Sequence, residues 1–90
     1  MNRPLAVTTN ERNAMTADRV RAIWHRELQR DDIMPDDDFF ALGGDSLVMV
    51  RIQAAFIDEL DAEVPMDQLF LNPTVRSIAA YMDSRAALAP

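Results

Sequence analysis

The segment LGGDSL, residues 42–47, places Gly43, Gly44 and Asp45 directly before Ser46, and a run without glycine or proline follows as far as Leu60. A serine hydroxyl in that setting has three uses. It can attack a carbonyl, given a histidine base and an acid to orient the base. It can cap the helix that follows, its oxygen accepting an orphan backbone N–H. It can also be the point at which another group is joined to the chain. Gly43 and Gly44 point to that third use, because they strip side chains from the approach to the hydroxyl, as close access by another molecule requires. The remaining chemistry-bearing residues are few: one histidine, His25, six aspartates between positions 31 and 46, and no cysteine.

Composition removes several functions. A chain of 90 residues is one small domain with little room for both a scaffold and a deep catalytic cleft. GDSL is also the signature of a family of serine esterases and lipases, but those are larger α/β domains with Asp and His near the C-terminus. Here His25 lies upstream of Ser46, beside Trp24 in a predicted helix, so no catalytic residue is assigned. The acidic stretch DDIMPDDDFFALGGD lacks the sixth-position glycine and twelfth-position glutamate of a calcium loop, and no metal ligands are assigned. A formal net charge of −6 and nine scattered arginines disfavour nucleic acid. Nowhere do about 20 uninterrupted apolar residues occur, so no membrane span is expected, and the default is a soluble cytoplasmic monomer. Without cysteine, any thiol must be imported on a cofactor, which suits a reducing compartment.

The elements that must position Ser46 follow from periodicity and punctuation. Residues 1–15 show no sustained pattern and read as a flexible leader; residues 16–84 form the domain; residues 85–90, RAALAP, read as a fraying tail. Thr16 caps a first helix in which Val20, Ile23, Trp24 and Leu28 keep helical spacing to about Arg30. A long loop pinned by Ile33, Phe39, Phe40 and Leu42 follows, with one helical turn near Asp38 to Ala41. Helix 2, capped by Asp45 or Ser46, runs to about Leu60. Its core face is expected to hold Met49, Val50, Phe56, Ile57 and Leu60, and its wet face Val48, Arg51, Ala55 and Asp58. Gln53, among the apolar set, is expected to reach sideways to solvent. A short helix covers Met66 to Phe70, and a last one opens with Asn72 as cap and Pro73 at its first position, keeping Val75, Ile78, Ala79 and Met82 inside. The expected fold is all-α: a small bundle of three main helices plus one short helix, with a long loop between the first two. Leu47, Phe39, Phe40, Phe56, Leu69, Phe70 and Ile78 are expected in the core, with Trp24 packed against them.

The stretch DDFFALGGDSLVMVRIQ, followed at a suitable distance by LFLNPTVRSIAAYM, resembles the peptidyl and acyl carrier proteins of nonribosomal peptide and polyketide assembly lines, from about Thr16 to Met82. The resemblance implies an acyl-carrier-protein-like fold and a covalent 4′-phosphopantetheine arm on Ser46, taken from coenzyme A by a magnesium-dependent phosphopantetheinyl transferase. Gly43, Gly44 and Asp45 then form the attachment loop. The resemblance also implies that this chain performs no catalysis and presents a thioester to partners: an adenylating enzyme or acyltransferase that loads cargo, and a condensing or other downstream enzyme. By the same resemblance helix 2 is the recognition element, which carries partner binding to Val48, Met49, Arg51, Ala55 and Leu71. LFLNPTV, the Gly-Gly pair, and Val48 and Arg51 where fatty-acid carriers tend to be acidic favour an aminoacyl or peptidyl cargo, whereas Asp45 also fits fatty-acid-type carriers. Opening at Met1 and ending soon after the last helix, the chain reads as a free-standing carrier for starter loading. The alternatives are a polyketide-type carrier with a non-amino-acid cargo and an unmodified interaction domain that keeps the fold.

Overall fold

Val20, Ile23 and Trp24, with Ala17 and Leu28 beside them, make the apolar stripe of α1 (Thr9–Leu28), the first of four helices. It is followed by α2 (Ser46–Leu60), α3 (Met66–Leu71) and α4 (Val75–Leu88) in a computed structural model that describes the backbone of residues 9–88 and side chains from 14 to 86. No strand occurs among the described residues, and the expected all-α bundle with its long first loop is what forms. α1 packs against α4 and α2.

Among the described residues the first and last helices run further than expected. α1 starts at Thr9, not at Thr16. No glycine or proline interrupts residues 9–15, so nothing in the sequence breaks the helix there. Thr16 is therefore interior and caps nothing; its hydroxyl donates to Asp83 Oδ1 at 2.7 Å and fastens α1 to α4. α4 continues to Leu88 through the good helix formers of RAAL, so Arg85 to Leu88, expected in the tail, lie within the helix. The rest of the expected leader and tail, residues 1–8 and 89–90, lies outside the described residues. At its C-terminus α1 closes with Gln29 at φ 56, the left-handed conformation, and Arg30 N–H donating to the His25 carbonyl at 3.2 Å. That is the arrangement glycine usually supplies.

α2 begins where expected, but its phase is different. Met49, Ile52, Ala55 and Phe56 face the core, while Val50 is 50% and Ile57 46% exposed. Met49, Ile52 and Phe56, spaced by three and four, set the buried stripe. Gln53 does not reach for solvent: its Nε2 donates to the Val64 carbonyl at 2.9 Å and holds the α2–α3 connection. Asn72 also differs. It closes α3, its N–H donating to the Gln68 carbonyl at 2.9 Å, and does not open α4. Thr74 is the cap of α4: its Oγ1 accepts from Ser77 N–H at 3.0 Å and its own N–H donates to Ser77 Oγ at 3.2 Å. This is a reciprocal pairing of the capping-box kind, with serine at the third position.

The loop of residues 29–45 is held by burial and backbone bonds. Ile33 and Phe39 are buried, Phe39 N–H donates to the Pro73 carbonyl at 2.7 Å, and Arg76 N–H donates to the Pro35 carbonyl at 3.0 Å. Phe39 meets Trp24 edge to face, 5.4 Å between ring centres, and so carries the loop into the core with Phe56, Leu69, Val75, Ile78 and Met82. Burying such a ring contributes about 2–3 kcal/mol. Phe40 and Phe70, expected inside, are 40% and 41% exposed and stack on each other at 5.6 Å, and Leu47 is 65% exposed.

Candidate functional site

Ser46 is the first residue of α2, and the cap before it is Asp45. Asp45 is extended at φ −139 and ψ −177, its Oδ1 accepts from Val48 N–H at 3.0 Å, and its carbonyl accepts from Met49 N–H at 2.9 Å. The division of labour follows from side-chain length: a carboxylate at the cap position reaches the third N–H of the helix, so the next hydroxyl is not needed there. Ser46 is exposed, and its Oγ has no hydrogen-bond partner among the described residues. The N–H groups of Ser46 and Leu47 belong to the open first turn, where the helix dipole is positive, and no acidic residue stands in that turn.

The two glycines serve the loop in different ways. Gly43 sits at φ +96, a turn that side chains rarely allow. A Cβ on Gly44 would overlap the ring of Phe39, so this position is bare because the core approaches it. The sequence suggested access for another molecule; the fold already requires both glycines.

The acidic stretch is consumed by structure. Asp32 pairs with Arg30 at 2.8 Å and Asp36 with Arg76 at 2.6 Å, while Asp37 Oδ2 accepts from Met34 N–H and Asp38 Oδ2 from Ala41 N–H, each at 2.9 Å. The guanidinium bond from Arg30 holds Asp32 below its ordinary pKa, and that from Arg76 does the same for Asp36. Among the described residues no three acidic or histidine side chains converge on one point. His25 is exposed and makes no side-chain hydrogen bond among those residues, so Ser46 has no base within its network. A cavity of about 420 Å³ opens between Thr16, Leu60, Val64, Tyr81 and Met82, and Ser46 does not border it.

Of the residues expected to face partners, Arg51 and Leu71 are exposed and Val48 is half-buried, but Met49 and Ala55 are 1% and 7% exposed and lie in the core. Ala55 was placed on the wet face because α2 carries more apolar side chains than one face can bury, whereas Met49, already expected on the core face, entered the partner set through the resemblance alone. Leu47, Val50 and Ile57 occupy the wet side instead, and Phe40, Phe70 and Leu71 stand exposed on the loop and α3. Ile52 was the missed signal, since only a phase that buries it explains the spacing to Met49 and Phe56. Arg51 Nε is held by Glu27 Oε1 at 3.1 Å, and Glu27 is also held by Arg26 at 3.2 Å.

Comparison with known proteins agrees with this geometry. The family described as "phosphopantetheine attachment site" matches residues 18–82. A hybrid polyketide–nonribosomal peptide synthetase, acdB of Aspergillus candidus, is 41% identical over 81 residues, covering 88% of this chain but 3% of that protein. BlmI of Streptomyces verticillus, a type-II acyl carrier protein involved in bleomycin biosynthesis, superimposes with a TM-score of 0.81 at 28% identity, covering 86% of this chain and 93% of BlmI. A peptidyl carrier protein solved with the phosphopantetheine transferase Sfp and coenzyme A gives 0.74 at 31% identity, covering 78% of this chain and 91% of that one. The chain belongs to the phosphopantetheine attachment site family: it is a carrier domain of the kind found in nonribosomal peptide and polyketide synthetases, and its cofactor is 4′-phosphopantetheine.

Proposed function

We propose that Ser46 carries the phosphopantetheine arm and that the chain holds an aminoacyl or peptidyl group on it as a thioester for partner enzymes. The observation that carries this reading is the free hydroxyl of Ser46 at the start of α2, with Asp45 doing the capping. A phosphodiester there meets the N–H groups of the open first turn and the positive end of the helix, so its charge is accommodated. Once attached, the arm supplies the thiol that a protein without cysteine lacks. Gly43 and Asp45 fix the approach to the hydroxyl, and Gly44 lets Phe39 anchor the turn from beneath.

Attachment and the later bond-making steps are assigned to partners: the transferase, a loading enzyme of the adenylating or acyltransferase kind, and a condensing enzyme. A site in the cytoplasm, where such enzymes and coenzyme A meet, completes the reading. Partner contact is assigned to Arg51, Leu71 and the exposed edge of Val48, joined by Leu47 and Val50.

The test is intact-protein mass spectrometry after incubation with coenzyme A, magnesium and a broad-specificity phosphopantetheinyl transferase. A single gain the size of phosphopantetheine in the wild type, absent in a folded Ser46→Ala variant, is expected. No gain in folded wild type would replace this reading with that of an unmodified interaction domain.

A further inference from the structure

The loop that leads to Ser46 is held in two unlike ways. Its first part is fastened to the start of α4 by the Phe39–Pro73 and Arg76–Pro35 backbone bonds and by the burial of Ile33 and Phe39. Its second part, residues 41–45, is tied to the residues on either side of it: Leu42 N–H donates to the Asp38 and Phe39 carbonyls, Gly43 N–H to Phe40 and Gly44 N–H to Phe39, while Asp45 caps α2. Among the described residues one hydrogen bond reaches this part from outside residues 38–49, and it comes from Arg30 Nη1 to the Leu42 carbonyl at 3.3 Å.

Arg30 is itself fixed at both ends. Its backbone is locked by the left-handed turn at Gln29 and the bond to the His25 carbonyl. Its Nε and Nη2 fork onto Asp32 Oδ1 and Oδ2 at 3.0 and 2.8 Å, and a planar guanidinium with two nitrogens occupied has little freedom left for the third. Gly43, next in the chain, has no atom within 4 Å of where a Cβ would stand, so its own packing does not stiffen the turn.

We infer that Arg30 is a positioning residue for attachment at Ser46: by holding the Leu42 carbonyl it sets the course of the Leu42–Asp45 turn and hence the direction in which the Ser46 hydroxyl leaves α2. The inference rests on Ser46 as the attachment residue. In attachment the Ser46 Oγ–P bond forms as the bond from that phosphorus to the adenosine bisphosphate of coenzyme A breaks, and the hydroxyl proton leaves to the transferase. Such in-line displacement depends on the aim of the attacking oxygen. The Arg30–Asp32 pair is exposed and screened, so its contribution is to direction more than to stability.

The experiment follows attachment over time by intact-protein mass spectrometry, with Sfp-type transferase, coenzyme A and magnesium, on wild type, Arg30→Ala, Arg30→Lys and Asp32→Asn. Arg30→Ala is expected to lower kcat about three- to ten-fold, with KM for the carrier changed less than about two-fold, as misaimed attack predicts. Arg30→Lys should recover part of the rate, since an ammonium reaches the carbonyl but cannot fork onto Asp32 as well. Amide hydrogen exchange should rise at Gly43 to Leu47 in Arg30→Ala and stay unchanged in α1 and α4. Attachment at the wild-type rate would overturn the inference, and so would a loss confined to KM, which would mean that Arg30 touches the transferase. If Arg30→Ala does not fold, Arg30→Lys and its exchange pattern decide by the same criteria. Absence of any mass gain in wild type would instead overturn the assignment of Ser46, so the two failures are distinct.

Discussion

Among the described residues, α4 and the inner face of α1 put their large apolar side chains into a shared core, with Met15 the exposed exception, whereas the side built from residues 40–71 leaves Phe40, Leu47, Val50, Ile57, Phe70 and Leu71 in contact with water. The two sides share one bundle and differ in what their surplus apolar surface does. On the first side it is spent on internal packing and tied by Thr16 to Asp83 and by Arg76 to Asp36. On the second it borders the start of α2, where Ser46 stands. Exposed apolar side chains of this kind suit the partner contact proposed above.

The largest expected effect contrasts the two adjacent phenylalanines and their neighbour on α3. Phe39 is 0% exposed and touches Trp24 and the space beside Gly44, so Phe39→Ala should cost about 3–5 kcal/mol in chemical denaturation. Phe70, 41% exposed, only stacks on Phe40, and Phe70→Ala should cost about 1 kcal/mol. Equal losses would erase the division between scaffold and docking side.

A change of function without a change of stability is the converse. Leu47→Asp and Leu71→Asp alter side chains that are 65% and 71% exposed, so melting temperatures should hold while transfer to or from a partner enzyme falls about five- to ten-fold, as for central interface residues. Met49→Asp, on the same helix, should instead unfold the protein, because that side chain is 1% exposed. If the exposed variants transferred at the wild-type rate, the apolar surface would not be the docking face.

The sequence was most legible where the causes are local. Aspartate, serine and a breaker-free run placed the start of α2 to within one residue, with Asp45 or Ser46 as the cap, and the spacing of Val20, Ile23 and Trp24 gave the inner face of α1. It was least legible where the cause lies far along the chain. Gly44 is bare because of Phe39, Gln53 answers to the Val64 carbonyl, and Thr74, not Asn72, caps α4 because Ser77 returns the bond. The phase of α2 was hidden by its richness: with Leu47, Met49, Val50, Ile52, Phe56 and Ile57 all apolar, periodicity permits several faces, and only packing against α1 and α3 selects one.

A smaller effect tests the end of α1. Gln29 holds φ 56 at a cost that glycine avoids, so Gln29→Gly should raise stability by about 1 kcal/mol in urea unfolding. Because Arg30 follows directly, the substitution also asks whether the brace on Leu42 depends on this turn. Unchanged attachment kinetics would place the stiffness in the backbone bond from Arg30 to His25, and slower attachment would place it in the Gln29 side chain's restriction of the turn.

The smallest effect is electrostatic and belongs to the scaffold. The hydrogen bond from Arg26 lowers the pKa of Glu59, as that from Arg76 lowers Asp36 and that from Arg30 lowers Asp32. A carboxylate whose folded pKa lies below its unfolded one adds stability that is present above the unfolded value, about 4, and is lost as pH falls through the folded value. The melting temperature should therefore be flat near neutrality and decline below about pH 4, with a shallower decline in 0.5 M salt because all three pairs are exposed. Arg26→Gln with Arg76→Gln should flatten the decline further, since these pairs join α1 to α2 and the loop to α4. An unaltered slope in that double variant would place the acid-sensitive contacts at the remaining pairs, Arg30 with Asp32 or Arg51 with Glu27.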